Sequence, residues 1–443
     1  MEGDLLVVNA GQLLTLASSG GPKRGAELGD VGLIEGGAIL LQRGRITWVG
    51  TTDQARRRAA PGTPILDAEG RVVMPGLVDP HTHLVWAGDR LDEFEQRIAG
   101  ATYQEIAAAG GGIVRTVQAT HQATQSDLLA AAGRRLDAML AHGTTTAEVK
   151  SGYGLDVSSE LKCLEVARLL AEWHPVELVP TFLGAHAIPP AYQDDPDEYI
   201  DRLVIGEMLP RVARDERTWP RDPTGRVRMY ADARTHIPLA EFCDVFCDAG
   251  AFSLAQARRV LEAARSHGLG LKIHADEFET LGATRLAVEL GATSADHLVV
   301  TPPADIAALA QSDTVAVFLP GTPFGLATGH YANARAFIAA GAIVALATDL
   351  NPGTSPCPSM PFIIALACRY MKMSPAEAVA AATINAAYAI RRGHLVGSLE
   401  PGKQGDLLVL DTDDYRDLAY QFGGNPVQMV IKVGRVVWEK ERR

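Results

Sequence analysis

Cysteine is scarce in this chain of 443 residues. There are five, at 163, 243, 247, 357 and 368. An odd, sparse set excludes a disulfide-stapled secreted scaffold and reads as reduced thiols. Cys243 and Cys247 are four residues apart, but no second cysteine pair completes a tetrahedral metal set. Long apolar runs are missing too. None approaches the ~18 residues of a membrane helix, so no membrane span is expected. Positive charge is in deficit, with 41 Lys and Arg against 53 Asp and Glu and a formal net charge of −12. That balance argues against nucleic acid or an anionic membrane as partner. The opening stretch MEGDLLVVNAGQLLTL carries an acidic pair where a secretory leader needs basic residues, so a cytoplasmic protein is expected. No Gly-x-Ser-x-Gly elbow is found. The triple glycine at 110–112 lacks the Gly-Lys-Ser/Thr ending of a phosphate loop. No short-period repeat indicates a solenoid.

What is present suits a soluble globular α/β chain, since 47% of the residues are hydrophobic. Between residues 67 and 394, short apolar runs alternate with amphipathic helical stretches. The candidate strands are 71–83, 144–150, 177–187, 244–248, 271–276, 293–299, 315–320 and 343–349. Candidate helices include 158–173, 254–268 and 279–291. Eight buried strands alternating with helices predict a (β/α)8 TIM-type barrel. Residues 1–66 and 395–443 read as short strands with Gly-rich turns, and neither set makes a stable sheet alone. They are expected to combine into one small β-sandwich domain built from both termini. The stretch around 210–236, rich in Arg, Asp and Pro, reads as a long solvated loop.

The polar residues of the barrel fall at the C-terminal ends of candidate strands, where barrel enzymes carry their chemistry. His81 and His83 form a His-Thr-His whose i and i+2 side chains share a face, so both can reach one metal. His274, His297 and Asp349 end three further strands. One such histidine is ordinarily a packed core residue; the set in barrel order is hard to produce by packing.

PGLVDPHTH, followed by strand-end His, His and Asp, resembles the amidohydrolase superfamily. The likeness implies that His81, His83, His274 and Asp349 hold one divalent metal, and that His297 orients the attacking water. The longer segments 79–113, 144–155, 182–192, HADEF (274–278), SADHL (294–298) and ATDLNPGTSP (347–356) are similar to the imidazolonepropionase family. That family uses zinc or iron. It opens the ring of 4-imidazolone-5-propanoate with water, giving N-formimidoyl-L-glutamate in histidine degradation. Relative to the family, the stretch around 210–236 looks like an insertion. A small-molecule substrate and a homodimeric assembly are expected.

The candidate substrate contacts follow from that chemistry. Arg90 can clamp the propanoate carboxylate, or pair on the surface with Asp89, Asp92 or Glu93. Tyr153 can donate its hydroxyl to the same carboxylate, or simply pack in its loop. His186 can hydrogen-bond the substrate without binding metal. Glu277 can protonate a ring nitrogen, or sit as a helix N-terminal carboxylate. Asn351, Gly353 and Thr354 lie on a Pro-Gly turn whose backbone and hydroxyl groups can hold an anionic end. Asp349, His297 and Glu277 are the expected catalytic groups. Lys150 is a strand-end lysine of the kind two-metal members carboxylate, but the separate His ligands of that pattern are not available on the following two strands, so one metal is expected and Lys150 reads as structural or supporting; Glu148, two residues earlier on the same face, can pair with it. Two rivals stand beside this. One is a mononuclear purine or pyrimidine deaminase of the same superfamily, which the HADE motif does not exclude. The other is a non-enzymatic assembly protein, expected to have lost its metal ligands.

Overall fold

The structure is a computed structural model, and it describes residues 3–55, 57–101, 105, 110–213 and 238–441. Among these, eight parallel strands follow one another around a barrel: β1 (Leu77–Asp79), β2 (Thr144–Lys150), β3 (Glu177–Ala185), β4 (Phe242–Cys247), β5 (Gly270–Ala275), β6 (Ser294–His297), β7 (Val315–Phe318) and β8 (Val344–Leu346). The ring closes just beyond the last strand. The Asp349 N–H donates to the His81 carbonyl at 3.1 Å, and the His83 N–H to that of Leu350 at 2.9 Å. Closure therefore sets the His-Thr-His segment beside Asp349.

Side chains alternate along each strand, so one set faces the barrel axis and the other faces the helices. Val78, Val179, Phe242, Val317 and Ala345 form a small apolar plug at the N-terminal end. Cys243, Val245 and Cys247 instead pack outward into the main core between strands and helices. The helices begin where their capping residues predict. Thr124 caps Gln125–Ala141, Asp156 caps Val157–Trp173 and Ser253 caps Leu254–Ser266, each side chain accepting a backbone N–H of the first turn.

The run expected as one strand over 71–83 is split. Val72–Pro75 pairs with strands Leu5–Leu14 and Leu407–Leu410, and only Leu77–Asp79 enters the barrel. Gly76 allows the break, because a Cβ there would meet Thr145 Oγ1 at 2.3 Å. Strands from both ends of the chain thus join through Val72–Pro75 into one eight-stranded, largely antiparallel sheet. That sheet curls over a core of its own, including Leu13, Ile39, Val73, Leu407 and Ile431. Most of the Arg-rich stretch lies at 214–237, outside the described residues.

Barrel and terminal sheet are tied by an ionic cluster. Glu177, at the start of β3, accepts from Arg392 Nε at 3.0 Å and lies 3.8 Å from Lys432 Nζ, which pairs with Asp406 at 2.7 Å. Burial disfavours the Glu177 carboxylate, but Lys432 and Arg392 outweigh it and hold the group below its usual 4.5. Its stabilisation is therefore complete above about pH 4.5 and fades as pH falls through the lower folded value. Glu177→Gln is expected to cost about 1–2 kcal/mol at pH 7. The gap in Tm between wild type and variant should close as the pH is taken below 4, which thermal denaturation over pH 3–8 would measure.

Candidate active site

Four histidines and an aspartate meet at the C-terminal mouth of the barrel. His81 Nε2 lies 3.3 Å from His83 Nε2, and each lies 3.5 Å from Asp349 Oδ1. The ring of His274 is centred 4.6 Å from that of His81 and 5.1 Å from that of His297. All five are buried. The backbone is strained to bring two of them in: His297 has φ 82° and Asp349 φ 52°.

Burial and the neighbouring cationic groups hold His81, His83 and His297 well below 6.5, so these imidazoles are neutral and their lone pairs are available. Two neutral nitrogens and a carboxylate oxygen within 3.5 Å of one another match the ~3–3.4 Å separation of ligands held about 2.1 Å from one ion. His274 Nε2 and both ring nitrogens of His297 are buried with no hydrogen-bond partner. Atoms of this kind are ordinarily satisfied. The donor set therefore fits a divalent metal held by His81, His83, His274 and Asp349, with His297 alongside.

Directly beneath lies a layer of buried charge. Lys150 Nζ is 2.9 Å from Glu148, 2.6 Å from Asp244 and 3.7 Å from Asp296. Burial alone would depress the Lys150 ammonium, but those three carboxylates hold its pKa above the ordinary value. Lys272 reaches the Pro80 carbonyl at 2.9 Å and Glu148 at 3.3 Å. The carboxylates also reach upward. Asp296 accepts from His81 Nδ1 at 2.6 Å, and Asp244 lies 3.1 Å from His274 Nδ1. A proton held on His81 Nδ1 turns its Nε2 lone pair toward the cluster, as carboxylate–histidine pairs do in metal sites. Lys150 is thus the buried partner of Glu148 that its spacing suggests.

Above the cluster opens a cavity of about 710 Å³ whose lining includes His83, Arg90, Tyr153, His186, Glu277 and Asn351. Gly353, Thr354, His274, His297 and Asp349 line it too, so the expected residues are brought together, with His81 just below. Each loop is fixed by a buried or half-buried polar side chain that gathers its backbone N–H groups. Glu160 accepts the N–H groups of Gly152, Gly154 and Leu155 and so sets Tyr153; Gly152 itself has φ +106°. His186 Nδ1 donates to the Gly152 carbonyl at 2.9 Å, and its ring stacks on His83 at 4.8 Å. Asp248 accepts the N–H groups of Glu277, Phe278 and Glu279. Burial, then Asp349 and Asp248, push the Glu277 carboxyl well above 4.5. Asn351 Oδ1 accepts the N–H groups of Gly353 and Thr354, each at 2.8 Å, which shapes the turn and commits those two donors.

Arg90 makes none of the surface ion pairs its sequence neighbours offer. Its Nε donates to Thr116 at 2.9 Å, while Asp92 pairs with Arg115. The guanidinium lies against Gly353, where a Cβ would meet Arg90 Nη1 at 2.6 Å.

A family model described as the amidohydrolase family matches residues 72–437. An imidazolonepropionase of Chloroflexus aggregans is 53% identical over 99% of both chains, and one of Herpetosiphon aurantiacus 52% identical over 98% of this chain and 97% of its own. The chain belongs to the amidohydrolase family and, within it, to the imidazolonepropionases. An adenosine deaminase from Xanthomonas campestris, crystallised with bound zinc, superposes with a TM-score of 0.65 over 98% of this chain and 92% of its own. At 21% identity that likeness concerns the fold. No helix among the described residues is long and apolar enough to cross a membrane.

For an amidohydrolase, the residues that sequence reasoning missed are informative. Asp244, Asp248, Asp296, Lys272 and Glu160 all sit behind the cavity lining. Asp244 was overshadowed by Cys243 and Cys247, which point away from the site. The usable signal was an isolated charge inside an apolar strand, at even spacing from a strand-end histidine, as for Lys272 and His274. Asp296→Asn keeps the side-chain shape but weakens the acceptor behind His81. It is expected to lower the affinity for a divalent ion about 10–100-fold with little change in fold, measurable by chelator competition and circular dichroism.

Proposed function

We propose that this chain opens the ring of 4-imidazolone-5-propanoate with water to give N-formimidoyl-L-glutamate, using one divalent ion, zinc or iron. The carrying observation is a histidine–aspartate cluster fit for metal at the floor of a cavity whose rim holds Arg90. A ring amide and a carboxylate tail find complementary groups there at once.

A divalent ion bound at the cluster would supply Lewis acidity, lowering the pKa of a coordinated water toward about 7 and polarising the ring carbonyl. The chain's own residues do the rest. Asp349 is positioned to take the proton of the attacking water. Burial lifts its carboxyl to about 6 against a hydrogen bond from Thr322, although a bound cation pulls that value down again. His297 is positioned to orient the water from the other side. Glu277, 3.5 Å from His297 Nδ1, has its carboxyl pKa raised by burial, which favours the protonated acid that can serve the departing ring nitrogen. Arg90 holds the propanoate through a charge-assisted fork, with Tyr153 and Thr354 hydroxyls beside it. His186, neutral with its pKa near 3 and its Nδ1 proton committed to Gly152, presents an acceptor at Nε2 to a ring N–H.

These roles make distinct kinetic expectations. Asp349→Ala removes base and ligand together, and kcat/KM should fall by at least about 10³-fold. Arg90→Ala should raise KM about 10–100-fold and leave kcat within a few-fold. Steady-state assays with 4-imidazolone-5-propanoate check both. Near wild-type turnover without Asp349, or an unchanged KM without Arg90, would contradict the assignments. Release of ammonia from a purine or pyrimidine, with no ring opening of the imidazolone, would point to a deaminase instead.

A further inference from the structure

We infer that Arg97 is a specificity-determining residue of this cavity: with Arg90 it makes the end that receives the substrate's carboxylate tail dicationic. This rests on the proposed substrate. Arg97 lies one residue before the end of helix Leu91–Ile98, and Arg90 is the residue that precedes that helix. Both line the cavity that holds His83, His274 and Asp349.

The two guanidinium groups converge on one residue. Arg97 Nη2 donates to the Gly353 carbonyl at 3.2 Å, and Arg90 packs against the Gly353 Cα. Neighbouring acids are engaged elsewhere. Asp92 pairs with Arg115, Glu93 accepts the Gly112 N–H at 2.9 Å, and Asp89 accepts that of Leu91 at 3.1 Å. Among the described residues no carboxylate lies within ion-pair distance of Arg90 or Arg97. Two half-buried cations facing one cavity repel each other, and their field favours an anion between them. One guanidinium would suffice to bind a carboxylate. A second raises the penalty for a neutral tail, which is how a charged pocket discriminates.

The test compares imidazole-4-propanoate with its primary amide, binding to metal-loaded protein by calorimetry. Neither probe needs turnover, so failure of the ring-opening assay and failure of this inference are separate results. Wild type should prefer the acid. Arg97→Gln should weaken acid binding about tenfold and leave the amide unchanged. Arg97→Lys, which keeps the charge, should retain the preference. Should Arg97→Gln fail to fold, Arg97→Met preserves the packing of the stem and carries the same expectation. Equal weakening of acid and amide would mean that Arg97 only props the Gly353 turn, and would overturn the inference. So would no change in either, or a lysine variant as unselective as the glutamine one.

Discussion

The site depends on placing charge in the dry interior of a barrel without leaving it uncompensated. Counted as ionised, Lys150 and Lys272 face Glu148, Asp244 and Asp296, which leaves one net negative charge directly beneath the histidine cluster. An isolated buried ion would be prohibitive, and a paired cluster is tolerable only with good geometry. Here the geometry has a direction. Asp244 Oδ2 meets both Lys150 and His274, and Asp296 Oδ2 accepts from His81 with Lys150 and Lys272 3.7 and 3.9 Å away, so the polarity of the layer is passed upward to the donor atoms. A divalent cation bound above it would complete the balance that the protein leaves open.

The same economy recurs around the cavity. Glu160, Asp248 and Asn351 each gather two or three backbone N–H groups of a loop following a strand. Loops on a barrel mouth are otherwise the most mobile parts of the fold. These side chains convert three of them into rigid walls that carry Tyr153, Glu277 and the Gly353 turn. Preorganisation of this kind places groups where charge develops during reaction and avoids reorganisation at that moment. It also explains why the Gly353 turn presents few free backbone donors and why arginine side chains take that role.

The sequence made the rim of the site legible and hid its foundation. His81, His83, His274, His297 and Asp349 could be found because strand-end position is readable from apolar runs and because alternation makes i and i+2 face the same way. Arg90, Tyr153 and Glu277 read from the sequence equally as structural residues and as site residues, and the fold puts all three in the cavity lining. The supporting layer pairs residues far apart in the chain, such as His81 with Asp296, 215 residues on, and no local pattern announces such a pair. The barrel order was readable for the same reason as the rim. The break at Gly76, which divides one apolar run between two sheets, was not, since both halves are equally apolar. The expected pairing of Lys150 with Glu148 was visible because it is local.

The central proposal is that one divalent ion completes this charge balance. Its most direct test is to strip the protein with a chelator and titrate zinc or iron(II) back. Bound metal and the ring-opening rate would be followed together. Activity should rise linearly and break sharply at one ion per chain. A break at two ions, or full turnover in the stripped protein, would contradict it.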